Sequence, residues 1–122
     1  MTSKSEAQRT AMNLYASLRG LAGSVTSLAR RISRDPDQKE AAASMSDAAI
    51  ALDRYTADAK TLASDIRAGR LEAARSDLIS IVRGSDLTDE PAFLKDGSFV
   101  SSWAKIQKRA SDLFADLKKL ED

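Results

Sequence analysis

Apolar residues recur along this chain at alternating spacings of four and three, and this pattern constrains its fold more than any other feature. An α-helix turns once in about 3.6 residues, so these spacings place the apolar side chains on one side of a helix. The first such stretch predicts a helix over 4–34 and contains Ala7, Ala11, Leu14, Leu18, Leu21, Val25, Leu28 and Ile32. The second predicts a helix over 36–68 and contains Ala41, Met45, Ala48, Leu52, Tyr55, Ala59, Leu62 and Ile66. Two consecutive long helices predict a helical hairpin.

The expected ends of these two helices carry residues that favour capping. Ser3 and Glu6 form a capping-box pattern at the start of the first helix. Asp35 and Pro36 end that helix, because proline disfavours helical geometry in the residue before it, and Asp35 is then placed to cap the second helix. Gly69 is expected to end the second helix in a left-handed conformation.

The second half of the chain predicts two further helices. A third helix over 71–83 carries Leu71, Ala74, Leu78 and Ile81, and a fourth over 99–120 carries Phe99, Trp103, Ile106, Ala110, Leu113, Leu117 and Leu120. Between them, residues 85–98 are rich in turn formers and predict a one-turn helical segment at Pro91 and a tight turn at Asp96-Gly97. The side chains expected to plug the core there are Phe93, Leu94, Phe99 and Trp103.

Heptads as regular as these are also typical of long intermolecular coiled coils. The residues that flank the apolar positions distinguish a coiled coil from a helical bundle within one chain. Two-stranded coiled coils place Glu and Lys at the flanking positions. Here the flanking positions hold small residues, among them Ala22, Ala29, Ala42, Ala49 and Ala63. Small residues let helices approach closely and widen the buried face. The sequence therefore predicts one all-α domain over 1–122, an antiparallel bundle of about four helices.

The composition excludes most enzyme chemistry. The chain has no Cys and no His, so it lacks a thiolate nucleophile, an imidazole base and the usual ligands of zinc and haem. Ser102 and Lys105 match the S-x-x-K spacing of serine acylases, but the partner motifs are missing, and we interpret Ser102 as a helix-entry residue. An acidic loop of Asp86, Asp89, Glu90 and Asp96 lacks the ligand order of a calcium loop. We expect a non-enzyme without catalytic residues, cofactor, metal ion or small-molecule substrate.

The distribution of charge and hydropathy bears on location and partners. No apolar run approaches the roughly 20 residues that span a bilayer, and no signal-peptide pattern begins the chain, so we expect a cytoplasmic protein without a membrane partner. The net charge is only +1, yet residues 1–34 carry six basic residues and one acidic residue, whereas residues 35–68 carry four basic and seven acidic residues. Such a polarised hairpin is consistent with pairing between its own helices.

The first helix carries the most unusual surface. Gly20 and Gly23 fall at outward positions, where each costs about 1 kcal/mol relative to Ala, and serines extend them into a smooth strip. Such a strip, with arginines along it, suits a second helix at short range or a phosphate backbone. The opposing interpretation, which stays open, is that the glycines are merely tolerated and the arginines pair with the acidic second helix.

Two function hypotheses follow from these residues. The leading one is a bundle that binds another macromolecule as an adaptor, regulator or accessory subunit, with a protein partner or a second copy as the ligand. Its candidate partner-binding residues are Met12, Gly20, Gly23, Ile50 and Ile79. The alternative is a helical subunit that contacts nucleic-acid backbone, and its candidate residues are Arg19, Arg30, Arg31 and Arg34.

Overall fold

The computed structural model describes residues 3–84, 87 and 91–121, and the regular elements in those ranges are helices. They are α1 (Lys4–Ile32), a 3-10 turn (Pro36–Gln38), α2 (Lys39–Ala68), α3 (Leu71–Arg83), α4 (Pro91–Lys95) and α5 (Gly97–Glu121). The predicted all-α antiparallel bundle is confirmed.

The four long helices form a four-sided bundle around one core. α1 packs most extensively on α2, α2 packs on α3, α3 on α5, and α5 on α1. The apolar stripes predicted from the sequence point inward, so that Leu14, Leu18, Leu52, Leu78 and Leu113 are among the most deeply buried side chains. The small flanking residues are buried too, including Ala22, Ala29, Ala42, Ala49 and Ala63.

α3 covers only part of the long hairpin, and the short helix α4 covers more of it. α3 has 13 residues against 30 in α2, so it reaches along less than half of that helix. α4 packs on both α2 and α5, and the Ala92 backbone N–H donates a hydrogen bond of 3.3 Å to Ser44 Oγ of α2. The one-turn segment predicted at Pro91 is therefore confirmed as part of the core cover.

Aromatic side chains close the core beside α4. Phe93 is fully buried and stacks on Phe99 with ring centroids 5.9 Å apart, while Trp103 is 5% exposed and stacks on Tyr55 at 5.6 Å. This confirms the expected plug for Phe93, Phe99 and Trp103. The fourth expected member, the Leu94 side chain, lies outside the described residues.

Capping groups act at most of the expected helix ends. Ser3 Oγ accepts from the Glu6 N–H at 3.1 Å. Asp35 Oδ1 accepts from the Asp37 N–H at 3.0 Å, but this bond caps the 3-10 turn. The prediction that Asp35 caps the second helix is therefore wrong, because α2 begins after Gln38, whose side chain makes no capping hydrogen bond. Gly69 has a φ of 82°, and the next residue donates its N–H to the Asp65 carbonyl at 2.8 Å, which is the hydrogen bond of a Schellman motif.

Three helix boundaries differ from the prediction. α1 ends at Ile32, so Arg34 lies in the turn, and a 3-10 turn precedes α2. α5 begins at Gly97 rather than at Phe99, because Asp96 Oδ1 accepts from the N–H groups of both Ser98 and Phe99 and caps the helix. The expected tight turn at Asp96-Gly97 is therefore wrong, and so is the interpretation of Ser102 as a helix-entry residue, because it lies in the second turn of α5.

Gly84 ends α3 where the chain passes against α5. Its φ is 53°, and a Cβ atom added to it would overlap the Trp103 ring and lie 2.9 Å from Gln107 Nε2. Gln107 Nε2 itself donates to the Val82 carbonyl at 2.9 Å. Glycine is thus required at this position for two reasons, its left-handed backbone conformation and the close approach of the Trp103 indole ring.

Candidate functional site

The outward strip of α1 forms one wall of a groove whose other wall is α5. Two adjoining depressions share Gly20, Ser24, Ser98 and Phe99, and together they run along α1 from Ala16 to Arg31. At 1.5 Å per residue this α1–α5 groove is about 22 Å long, or roughly four helical turns. The depression that extends from Ala16 to Arg109 has a volume of about 460 Å³.

The groove is wide at the two glycines. A Cβ atom added to Gly20 or Gly23 would meet no heavy atom within 4 Å. The close approach inferred from these glycines is therefore not made by the described part of this chain. The space above them is open to a partner, which is the opposite of the situation at Gly84.

The groove walls carry positive charge. Arg31, Lys105 and Arg109 line it, with Asp96 as the acidic lining residue, and Asp96 is engaged by two backbone N–H groups. Arg109 Nη1 lies 3.4 Å from Ser17 Oγ and links the two walls. An anionic surface is therefore the better electrostatic match to this groove.

The four arginines proposed as phosphate contacts are all exposed. In the described ranges no ion pair joins any of them to a carboxylate of α2, which leaves their charge available. Arg30, Arg31 and Arg34 lie together at the hairpin end, whereas Arg19 lies about 16 Å away along the axis of α1.

The apolar candidates lie in three separate places. Met12 is 51% exposed on α1 and Ile50 is 57% exposed on α2. Because Lys4 lies beside Gly69, antiparallel pairing places Ile50 at the height of residues 21–23, about 15 Å from the height of Met12. Ile79 is partly buried, beside Val82 and Phe114, in a depression between α3 and α5. They do not make one patch.

A partly buried acidic cluster between α2 and α3 was not predicted. Asp65 is only 7% exposed, and its Oδ1 accepts from Arg70 Nε at 3.0 Å and Nη2 at 2.9 Å. Burial raises the pKa of Asp77 to about 7, helped by a hydrogen bond with Asp65 and by the charges of Asp65 and Asp58. Burial also raises the pKa of Asp58, against the lowering effect of Arg54.

The sequence contained one signal for this cluster. Asp58 and Asp65 are seven residues apart, so they lie on the same side of α2. Whether that side is covered depends on the direction that α3 takes after Gly69, which the spacing does not reveal. The cluster is a structural contact between helices, and no group of three or more His, Cys, Asp or Glu residues in the described ranges has the geometry to hold a metal ion.

The other sequence candidates are placed as follows. Ser102 and Lys105 both line the groove, and no hydrogen bond joins them within the described residues. Three members of the acidic loop, Asp86, Asp89 and Glu90, lie outside the described residues. Across the helices that the structure describes, none combines the length and apolar character needed to traverse a membrane.

No protein family, no curated protein and no solved structure matches the chain at a significant level.

Proposed function

We propose that this chain is a non-enzymatic helical bundle that binds another macromolecule, as an adaptor, regulator or accessory subunit of a complex. The observation that supports the proposal is the α1–α5 groove, with its open glycine positions and its basic walls. The composition agrees, because a chain without His and Cys lacks the commonest catalytic groups. The cytoplasmic location expected from the sequence stays a prediction.

The dimensions of the groove suit an amphipathic helix of a protein partner. Four turns fit along it, the small side chains of α1 let a helix axis approach closely, and the partly exposed Phe99 ring offers an apolar contact. Lys105 and Arg109 favour a helix with acidic residues on its flanks. The partner class is thus an acidic amphipathic helix.

Site-specific photocrosslinking in the cells that produce the protein tests this proposal. A benzophenone amino acid replaces Ser24 in the groove, and in a control it replaces Ser80, which is exposed on α3. We expect a covalent protein adduct from position 24 that disappears when Gly20→Glu is added, and none from position 80. The proposal fails if position 24 gives no protein adduct, or if both positions give the same one.

The exposed arginines at the hairpin end favour one second candidate, contact with nucleic-acid backbone. Arg30, Arg31 and Arg34 are close together and exposed, and guanidinium groups bind phosphate well. With a net charge of +1, binding would be sequence-tolerant and lost as salt rises.

Fluorescence anisotropy of a labelled oligonucleotide at low and moderate salt measures this contact. A triple Arg→Gln variant at positions 30, 31 and 34 should lose binding, whereas a control that neutralises the exposed Lys60, Arg67 and Lys119 should retain most of it. Absence of binding at low salt, or equal loss in both variants, would remove this candidate.

A further inference from the structure

We propose that the α1–α5 groove recognises a phosphorylated side chain of its protein partner, with the phosphoryl group held by Lys105 and Arg109 of α5 and by Ser17 of α1. This inference rests on the proposed function and names the chemical group that the groove selects on the partner. The ligand is a phosphate monoester in its dianionic form.

The depression at the Ser17 end of the groove has the lining of an anion site. Two cationic side chains, Lys105 and Arg109, line it, and none of its described lining residues is a carboxylate. Asp96 lines only the adjoining depression, where it already accepts from two backbone N–H groups. Because two positive charges face the same space without a counter-charge, a ligand with two negative charges balances them.

Both cations are available to a ligand. Within residues 3–84, 87 and 91–121, neither Lys105 nor Arg109 forms an ion pair with a carboxylate, and this includes Asp112, which follows Arg109 by three residues on α5. The Arg109 Nη1 atom lies 3.4 Å from Ser17 Oγ, which is long for a hydrogen bond. The guanidinium therefore keeps N–H groups for the two parallel hydrogen bonds that arginine makes with phosphate.

Hydrogen-bond donors converge on this depression from both walls of the groove. Ser102, Lys105 and Arg109 follow one another at spacings of three and four residues, so they lie along one side of α5. Ser17 adds a hydroxyl group from α1 at the point that the Arg109 guanidinium reaches. A phosphate monoester presents three strong acceptor oxygens. Two hydroxyl groups, an ammonium group and a guanidinium group supply enough donors for all three.

The length of the groove favours a phosphoryl group that is attached to a protein chain. From Ser17 the groove continues along α1 for about 20 Å to Arg31, past Gly20 and Ser24. A small phosphorylated molecule bound at the Ser17 end would leave most of this length empty. A helix with a phosphorylated residue near one end fills it, and the partly exposed Phe99 ring then contacts an apolar side chain of that helix.

Nuclear magnetic resonance titrations of the full chain test the phosphate site, with inorganic phosphate as the probe and sodium chloride of equal ionic strength as the reference. We expect saturable shifts of the backbone amides of Ser17, Lys105 and Arg109, with a Kd of about 1 mM. Lys105→Gln and Arg109→Gln should each raise this Kd at least about tenfold. The matched control Lys108→Gln removes the same charge from an exposed position of α5 outside the depression, and it should leave the Kd within about twofold.

A second pair of variants separates a site between two walls from a merely basic surface of α5. Ser17→Ala removes the hydroxyl donor of α1 and should raise the Kd for inorganic phosphate about threefold. Its control, Ser101→Ala, lies at an exposed position of α5 outside the depression and should leave the Kd unchanged. Shifts that do not saturate, equal Kd values for Lys105→Gln and Lys108→Gln, or no effect of Ser17→Ala would each overturn the inference.

Two model ligands identify the source of the phosphoryl group. N-acetyl-O-phosphoserine amide represents a phosphorylated protein side chain, and adenosine monophosphate represents a free phosphorylated molecule. We expect the phosphoserine compound to bind at least as tightly as inorganic phosphate. If adenosine monophosphate binds more than about tenfold more tightly than the phosphoserine compound, the ligand is a free molecule and the inference is wrong.

Photocrosslinking in a cell lysate connects the phosphate site to the partner. We expect the protein adduct of the benzophenone at position 24 to disappear after treatment of the lysate with a protein phosphatase, and to remain after treatment with the heat-inactivated enzyme. An adduct that persists after active phosphatase overturns the inference, while the proposed function stands. Absence of any protein adduct from position 24 removes both.

Discussion

Replacing Gly84 with alanine tests the closest contact in the bundle. The left-handed conformation at φ 53° costs an alanine about 1–2 kcal/mol. The added methyl group would also overlap the Trp103 ring, and displacing a packed aromatic side chain costs about a further 1–3 kcal/mol. We expect Gly84→Ala to lower the free energy of unfolding by about 2–5 kcal/mol in total.

Gly69 supplies a matched control for this change. Its φ of 82° is also left-handed, but the nearest neighbour of an added Cβ would be the flexible Lys4 Nζ at 3.9 Å. Gly69→Ala should therefore cost only the conformational part, about 1–2 kcal/mol. Urea unfolding followed by far-ultraviolet circular dichroism measures both variants. Equal losses in the two variants would refute the role assigned to the indole ring.

Three further perturbations have defined outcomes. Gly20→Ala and Gly23→Ala should each raise the free energy of unfolding of the dilute protein by about 1 kcal/mol in urea titrations, and a decrease would reveal a neighbour at these positions. The pKa of Asp77 is 3.8 in the unfolded chain and about 7 in the folded protein, so its contribution to the free energy of unfolding falls as pH rises between these values. Asp77→Asn should therefore remove this decrease from unfolding midpoints measured as a function of pH. Arg70→Ala leaves the buried Asp65 carboxylate without its partner and should lower the free energy of unfolding by about 1–2 kcal/mol. The control Arg67→Ala, at an exposed position, should lower it little. Equal losses of stability in thermal unfolding would contradict the ion pair's contribution.

The fold was predictable because the apolar spacing is helical over nearly the whole chain. Residues such as Leu18, Leu52 and Leu113 are buried because spacings of four and three keep them on one helix side, whatever the neighbouring helix is. Gly69 could be assigned as a helix end because a left-handed residue is a local requirement.

Features that depend on how helices meet were not predictable. Asp65 is buried because α3 turns back along its side of α2. Ile79 is only partly exposed because α3 also packs on α5. Gly97 lies in a helix because Asp96 caps it, an outcome that turn-forming residues alone do not reveal. Gly20 and Gly23 indicated a smooth surface, but only the structure shows that no described part of the chain fills the space above them.

The chain contains a single tryptophan, and its position makes it an intrinsic fluorescence probe of the bundle. Trp103 belongs to α5, touches Tyr55 of α2 and lies against the residue that ends α3, so one indole ring senses the junction of three helices. Its emission and its shielding from a dissolved quencher will follow the opening of that junction without any attached dye.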